Sequence, residues 1–356
     1  MSASRINLIL GLLVLLSACA EIPTEMRYFP AGTESYAEQY WPSPPERARY
    51  RYAGELIGEQ NFGPSEQSEP GTAEKVFRWI VGLGEGLGRR PKVLIRPQTG
   101  MVDSATGRIY VTDVGQQAVF VFDALQGRLS IWRDADAGVA LMTPVGIAPG
   151  RAGEVLVADA GLGRIVRLNA AGEPQGSFGA DVLRRPTGLA RDPRTHHLYV
   201  ADTQAHDIKV FDEAGGLLRR IGQRGSALGE FNAPTHLALA GDRVYVSDTL
   251  NARVQVLSAE GQPLRAIGKR GLYLGNLTRP KGVALDAESN VYIVESYYDH
   301  LLVFSEAGEF LLPIGGTGSA IGQFYLPAGA WSDGQGRIFV ADMYNGRVII
   351  FQYLGG

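Results

Sequence analysis

Among the side chains able to do acid–base or ligand chemistry, His236 stands out. It occupies a position that is glycine in the equivalent parts of the chain, at Gly100 or its neighbour in the least regular copy, then at Gly146, Gly188, Gly282 and Gly329. An imidazole titrates near neutrality, which suits a ligand contact or a general base. It equally suits a ring bonded to a neighbouring carbonyl. A second cluster is Glu295, Tyr297, Tyr298, Asp299 and His300. Such an aromatic, polar stretch holds a sugar or peptide, or stays solvated with one tyrosine packed inward. Zinc hydrolysis needs about three converging protein ligands, and His196, His197 and His206 do not fall beside His236 in the pattern set out below. No GxSxG elbow, HExxH helix or phosphate loop occurs. The candidate channel or rim residues are therefore His236, Glu295, Tyr297, Tyr298 and His300, with no catalytic residue, metal ligand or cofactor assigned. The balance weighs against an enzyme.

The elements that position these residues repeat. A β-branched and aromatic run ends on Asp113, Asp159, Asp202, Asp248, Glu295 and Asp342, at intervals of 46, 43, 46, 47 and 47 residues. A proline opens another apolar strand at Pro97, Pro144, Pro186, Pro234, Pro280 and Pro327, at 47, 42, 48, 46 and 47. Two anchors in one phase over six copies define a repeat architecture. Each copy reads as four short strands; in the fourth these are 236–239, 243–247, 253–257 and 264–267. The second strand is apolar on both faces, as in a strand covered on both sides. The sixth copy ends after its third strand, and Arg51 to Gly58 carries the fourth-strand pattern. That segment is expected to complete the last sheet and seal a ring, removing a free edge. The expected fold is all-β: a six-bladed β-propeller of four-stranded antiparallel blades, closed by an N-terminal strand completing the last blade. The 46 glycines among 356 residues, nearly twice a background of about 7%, fit its many turns. In such a meander one rim carries the loops entering each first strand and those after each second strand. The other rim carries short turns. The longer loops favour docking on the first rim. The recurrent aspartates read as acceptors for backbone N–H groups, and Arg164, Arg253 and Arg347 as inter-blade ion pairs or rim charges. A net charge of −3 excludes the basic footprint of a nucleic-acid binder.

The N-terminus carries a separate signal. One positive charge precedes an apolar run from Ile6 to Leu16, too short to cross a bilayer of roughly 30 Å but suited to a signal peptide. Leu16-Ser17-Ala18-Cys19 follows, and Cys19 is the only cysteine. This resembles a lipobox, which implies removal of residues 1–18 and acylation of Cys19. Residues 19–48 then read as a proline-rich tether, whose aromatic residues include some able to pack on the domain. Residues 49–356 form the propeller, with an insertion at 63–92 that has near-helical apolar spacing over Glu74 to Leu83. Ala20 after the cysteine implies the outer membrane, facing the periplasm.

Pro280-Lys-Gly-Val-Ala284 and Asp248-Thr-Leu-Asn-Ala-Arg-Val-Gln-Val256 resemble the NHL repeat, over about residues 93 to 356. With the lipobox, the chain is similar to bacterial six-bladed NHL-repeat lipoproteins. The resemblance implies a membrane-anchored binding or scaffolding module that docks a protein or glycan on its rim, within a cell-envelope assembly. Some six-bladed propellers are catalysts: gluconolactonase-like proteins hold calcium in the channel, and an amidating lyase holds zinc with three channel histidines. The alternative is accordingly a metal-dependent lactonase or lyase centred on His236.

Overall fold

The computed structural model describes residues 24–29, 38–64 and 90–355. The signal peptide, Cys19 and the Glu74 to Leu83 stretch lie outside the described residues. Six sheets follow one another: blade 1 over residues 97–132, blade 2 over 144–178, blade 3 over 186–221, blade 4 over 234–267, blade 5 over 280–315 and blade 6 over 330–353. Within each, the strands pair in chain order and antiparallel, the first at the axis and the fourth outermost. Blade 6 takes its fourth strand from Tyr50–Leu56, which pairs antiparallel with Arg347–Tyr353 (Tyr50 opposite Tyr353, Leu56 opposite Val348). The ring is closed as the sequence pattern requires.

The second strands explain the core. Tyr110, Tyr199, Tyr245, Tyr292 and Phe339 are all fully buried, as are their valine and isoleucine neighbours. Alternate residues of one strand face opposite sides. In Val244-Tyr-Val246 the valines therefore join the apolar cluster shared with blade 3, and Tyr245 joins the one shared with blade 5. The buried apolar residues form six such clusters, one at each blade interface.

Threonines cross-link the blades near the axis. Thr112 donates to the Val145 carbonyl (2.7 Å), Thr203 to Pro234 (2.7 Å) and Thr249 to Pro280 (2.8 Å). The recurrent glycine lets neighbouring first strands approach. A Cβ on Gly146 would lie well inside contact with the Thr187 carbonyl, which is backbone and cannot swing aside. Gly146→Val is expected to cost about 1–3 kcal/mol in a urea titration, the usual range for overpacking.

Described parts of the stretch read as a tether lie against the domain. Tyr40–Trp41 adds a fifth strand to blade 6, and Thr24–Met26 pairs with Phe62–Pro64. Trp41 packs edge-on against Phe351 and Phe29 against Tyr52. Aromatic residues that would be costly to leave in water thus cover the closing strand.

Candidate functional site

The carboxylates that end the second strands work as clamps. Asp159 accepts N–H groups from Met142 (2.7 Å) and Thr143 (2.9 Å), which enter the blade, and from Gly161 and Leu162 in its own loop. Asp113 and Asp202 do the same with Ile95 and Arg96, and with Arg184 and Arg185. Glu295, named as a candidate rim-binding residue, shares this role. It is 1% exposed, and its oxygens accept from the backbone of Thr278 (2.7 Å), Arg279 (2.9 Å) and Tyr297 (3.0 Å). Its extra methylene leaves the clamp intact. The sequence pattern pointed only to donors in the following loop; the incoming chain, 16 to 18 residues earlier, supplies the others. Arg253 and Arg347 pair within their own blades, with Asp248 and with Asp342 and Glu55.

His236 lies apart from Glu295 and its neighbours. The first strands of all six blades line a central channel of about 210 Å³, and His236 is on its wall, which also includes Leu237, Leu189 and Trp331. The ring is 7% exposed, and neither nitrogen has a hydrogen-bond partner among the described residues. Burial, with Lys281 nearby, lowers its pKa to about 3. A histidine bonded to a neighbouring carbonyl is therefore not what is found. The same burial has a consequence for stability. The unfolded imidazole takes its proton near pH 6.5, whereas folded His236 stays neutral down to about 3. Between those values the unfolded chain binds more protons, so stability falls as pH falls. Urea midpoints are expected to decline from pH 6.5 to 4 more steeply in the wild type than in His236→Leu. Equal slopes would contradict the assignment.

Tyr298 and His300 line a groove of about 370 Å³, with Leu272, Tyr273, Asn276 and Thr317. Tyr297 is 57% exposed and packs edge-on against Tyr298. His300 Nδ1 lies 2.5 Å from the Tyr298 carbonyl, which orients the ring. His206 accepts the Ala233 N–H (3.0 Å), joining blades 3 and 4. His196 meets Arg191 on the turn rim. Among the described residues no three His, Cys, Asp or Glu side chains converge on a point that holds a metal. Sequence reasoning missed Leu272-Tyr273-Leu274, three exposed apolar residues in one loop between Gly271 and Gly275. Their grouping within a polar loop was the available signal. It also missed Trp331, which lines the same channel, and Lys281, whose charge reaches His236.

Fold and channel together define a six-bladed β-propeller. Comparison with protein-family models and with curated proteins finds no match. Solved structures share the fold at low identity. Virginiamycin B lyase from Staphylococcus aureus is 14% identical, with a TM-score of 0.52 over 73% of this chain and 95% of that one. A protein of unknown function from Bacteroides thetaiotaomicron is 13% identical, with a TM-score of 0.59 over 73% and 70%. An auxiliary nutrient binding protein from Bacteroides ovatus is 14% identical, with a TM-score of 0.57 over 72% and 69%. The chain thus has the architecture of both lyases and binding proteins, and fold alone does not choose between their activities.

Proposed function

We propose that this protein is a lipid-anchored binding or scaffolding module of the NHL-repeat lipoprotein type. Acylated Cys19 holds it to the outer membrane facing the periplasm, and its loop rim docks a protein or glycan partner within an envelope assembly. The observation that supports this is a difference between the two rims. The loops entering the blades or following second strands expose Leu250, Leu272, Tyr273, Tyr297, Tyr325 and Tyr344. The short turns of the other rim expose Leu125 and otherwise present charged and polar groups, among them Glu173, Glu213, Glu260, Glu288 and Glu306 with Arg151 and Arg194. Exposed apolar and aromatic groups gathered on one side are what an interaction surface requires.

The N-terminal chain supports the orientation. Thr24 donates to the Gly127 carbonyl, in the third-to-fourth-strand turn of blade 1. Five residues separate it from Cys19, a reach of at most about 18 Å. An acyl anchor at Cys19 keeps the turn rim toward the lipid and turns the loop rim outward.

Two measurements test the reading. Cys19→Ser is expected to release the protein from the membrane fraction and to abolish fatty-acid labelling. A photo-crosslinking residue placed in cells at Tyr344 or Tyr297 is expected to give a discrete adduct, while one at Glu306 gives none. Equal adducts from both rims, or none from either, would remove the docking role. Stoichiometric zinc or calcium in the purified protein, lost in His236→Ala, would favour the lactonase or lyase reading instead.

A further inference from the structure

The central channel holds polar side chains that nothing else in the fold uses. His236 and Trp331 line the same cavity of about 210 Å³, and each is 7% exposed. Neither ring nitrogen of His236, nor Nε1 of Trp331, has a hydrogen-bond partner among the described residues. A buried polar group left unpaired costs about 1–3 kcal/mol; the other buried side-chain atoms without a partner among the described residues, such as Tyr52 Oη, Ser247 Oγ and Ser296 Oγ, do not line this cavity. Two such side chains in one cavity mark a place built to meet something polar. The rest of the wall is aliphatic, including Ile147, Leu189, Leu237 and Val283.

Charge lies beside His236, at the loop-rim end of the first strands. Lys281 follows the proline opening blade 5, is half-buried, and lies close enough to lower the His236 pKa. Burial and Arg279 depress its own. Arg96, Arg185 and Arg279 precede the first-strand prolines of blades 1, 3 and 5, on the loop rim, and are exposed. No ion pair reaches these four cationic side chains among the described residues. Unpaired cations at a mouth draw anions into a low-dielectric cleft.

We infer that the channel binds a small carboxylate with a short aliphatic body and a second hydrogen-bond acceptor. The carboxylate meets Lys281 and the neutral His236 near the mouth. Trp331 Nε1 donates to the second acceptor. His236 is the second residue after its proline and Trp331 the fourth, so the two contacts lie about 7 Å apart along the axis at about 3.3 Å per residue. This site is separate from rim docking, and either can fail without the other.

Levulinate is a suitable probe, since it carries a carboxylate and a ketone oxygen across a short chain. Pentanoate lacks the second acceptor, and methyl levulinate lacks the charge. Titration of the ¹⁵N-labelled full chain reads the Trp331 indole resonance, assigned through Trp331→Phe. Levulinate is expected to shift that resonance saturably and to bind at least about tenfold more tightly than either analogue. Lys281→Met and His236→Leu are each expected to weaken it by about tenfold or more. Arg243→Ala on the turn rim should leave binding unchanged, and the indole spectrum reports whether each variant is folded. No saturable shift up to about 10 mM levulinate would overturn the inference. So would equal affinity for all three probes, or unchanged binding in folded Lys281→Met and His236→Leu.

Discussion

A chain lacking residues 1–57 is expected to lose the monomeric fold, appearing as aggregate on size-exclusion chromatography without a cooperative urea transition. The deletion strips the fourth strand from blade 6. It exposes the hydrogen-bonding edge of Arg347–Tyr353 and uncovers Ile349 and Phe351, both fully buried in the closed ring. It also removes Tyr50, Tyr52 and Leu56, each at most 2% exposed. At about 1.5–3 kcal/mol per large side chain, the three contribute on the order of 5–9 kcal/mol. Total stability for a domain is about 5–15 kcal/mol, so the loss is of the same size. A bare apolar edge then pairs with other chains. The counterpart is a circular permutant. The Leu354 N–H donates to the Arg49 carbonyl (2.8 Å), and Tyr353 lies opposite Tyr50. A short loop from residue 354 to residue 49, with new termini within 65–89, turns the seam into an ordinary hairpin. That permutant is expected to fold. A soluble, cooperative deletion variant, or a permutant that does not fold, would show that closure is not what holds the ring.

Arg347→Leu is expected to cost about 3–5 kcal/mol, because it strands two buried carboxylates. Arg347 Nε meets Asp342 (2.9 Å), Nη1 meets Glu55 (3.2 Å), and Nη2 reaches the carbonyls of Ala320 (3.0 Å) and Gln323 (3.1 Å). Glu55 comes from the N-terminal strand, so this one guanidinium ties the chain's two ends together inside the seam. Burial raises the pKa of Glu55 and of Asp342, and in both the arginine opposes that rise. Without it both carboxyls rise further. Groups that bind protons more readily folded than unfolded stabilise at low pH and lose that contribution as pH rises. The deficit of Arg347→Leu relative to wild type should therefore be larger at pH 8 than at pH 4.5. Arg347→Lys keeps the charge but not the fork, and should lie between. A deficit below about 1 kcal/mol, or one flat with pH, would contradict the role given to this residue.

The ring was legible because a propeller is periodic. One strand pattern recurs, the recurrent carboxylate accepts an N–H of the chain entering its blade in every copy, and the missing fourth strand of blade 6 has its match at Arg51 to Gly58. Even Glu295, a departure in residue type, keeps the period. The site was legible only where it broke that period. His236 was visible because four other copies carry glycine at that position, with Thr99 in blade 1. Lys281 and Trp331 replace residues that already vary among the blades, so nothing marked them. The groove behind Tyr298 depends on a loop from blade 4 lying against blade 5, a relation between residues some 25 apart that no local pattern encodes.

The sequence by itself determined the number of blades, the order of strands within them and the strand that closes the circle, because these follow from local pattern and from counting. Tertiary structure alone decided which side chains share a cavity, which carboxylates are used up by the backbone, and where the N-terminal chain leaves the ring. Those depend on how six similar units turn about an axis, which places residues 95 positions apart, such as His236 and Trp331, on the wall of one channel.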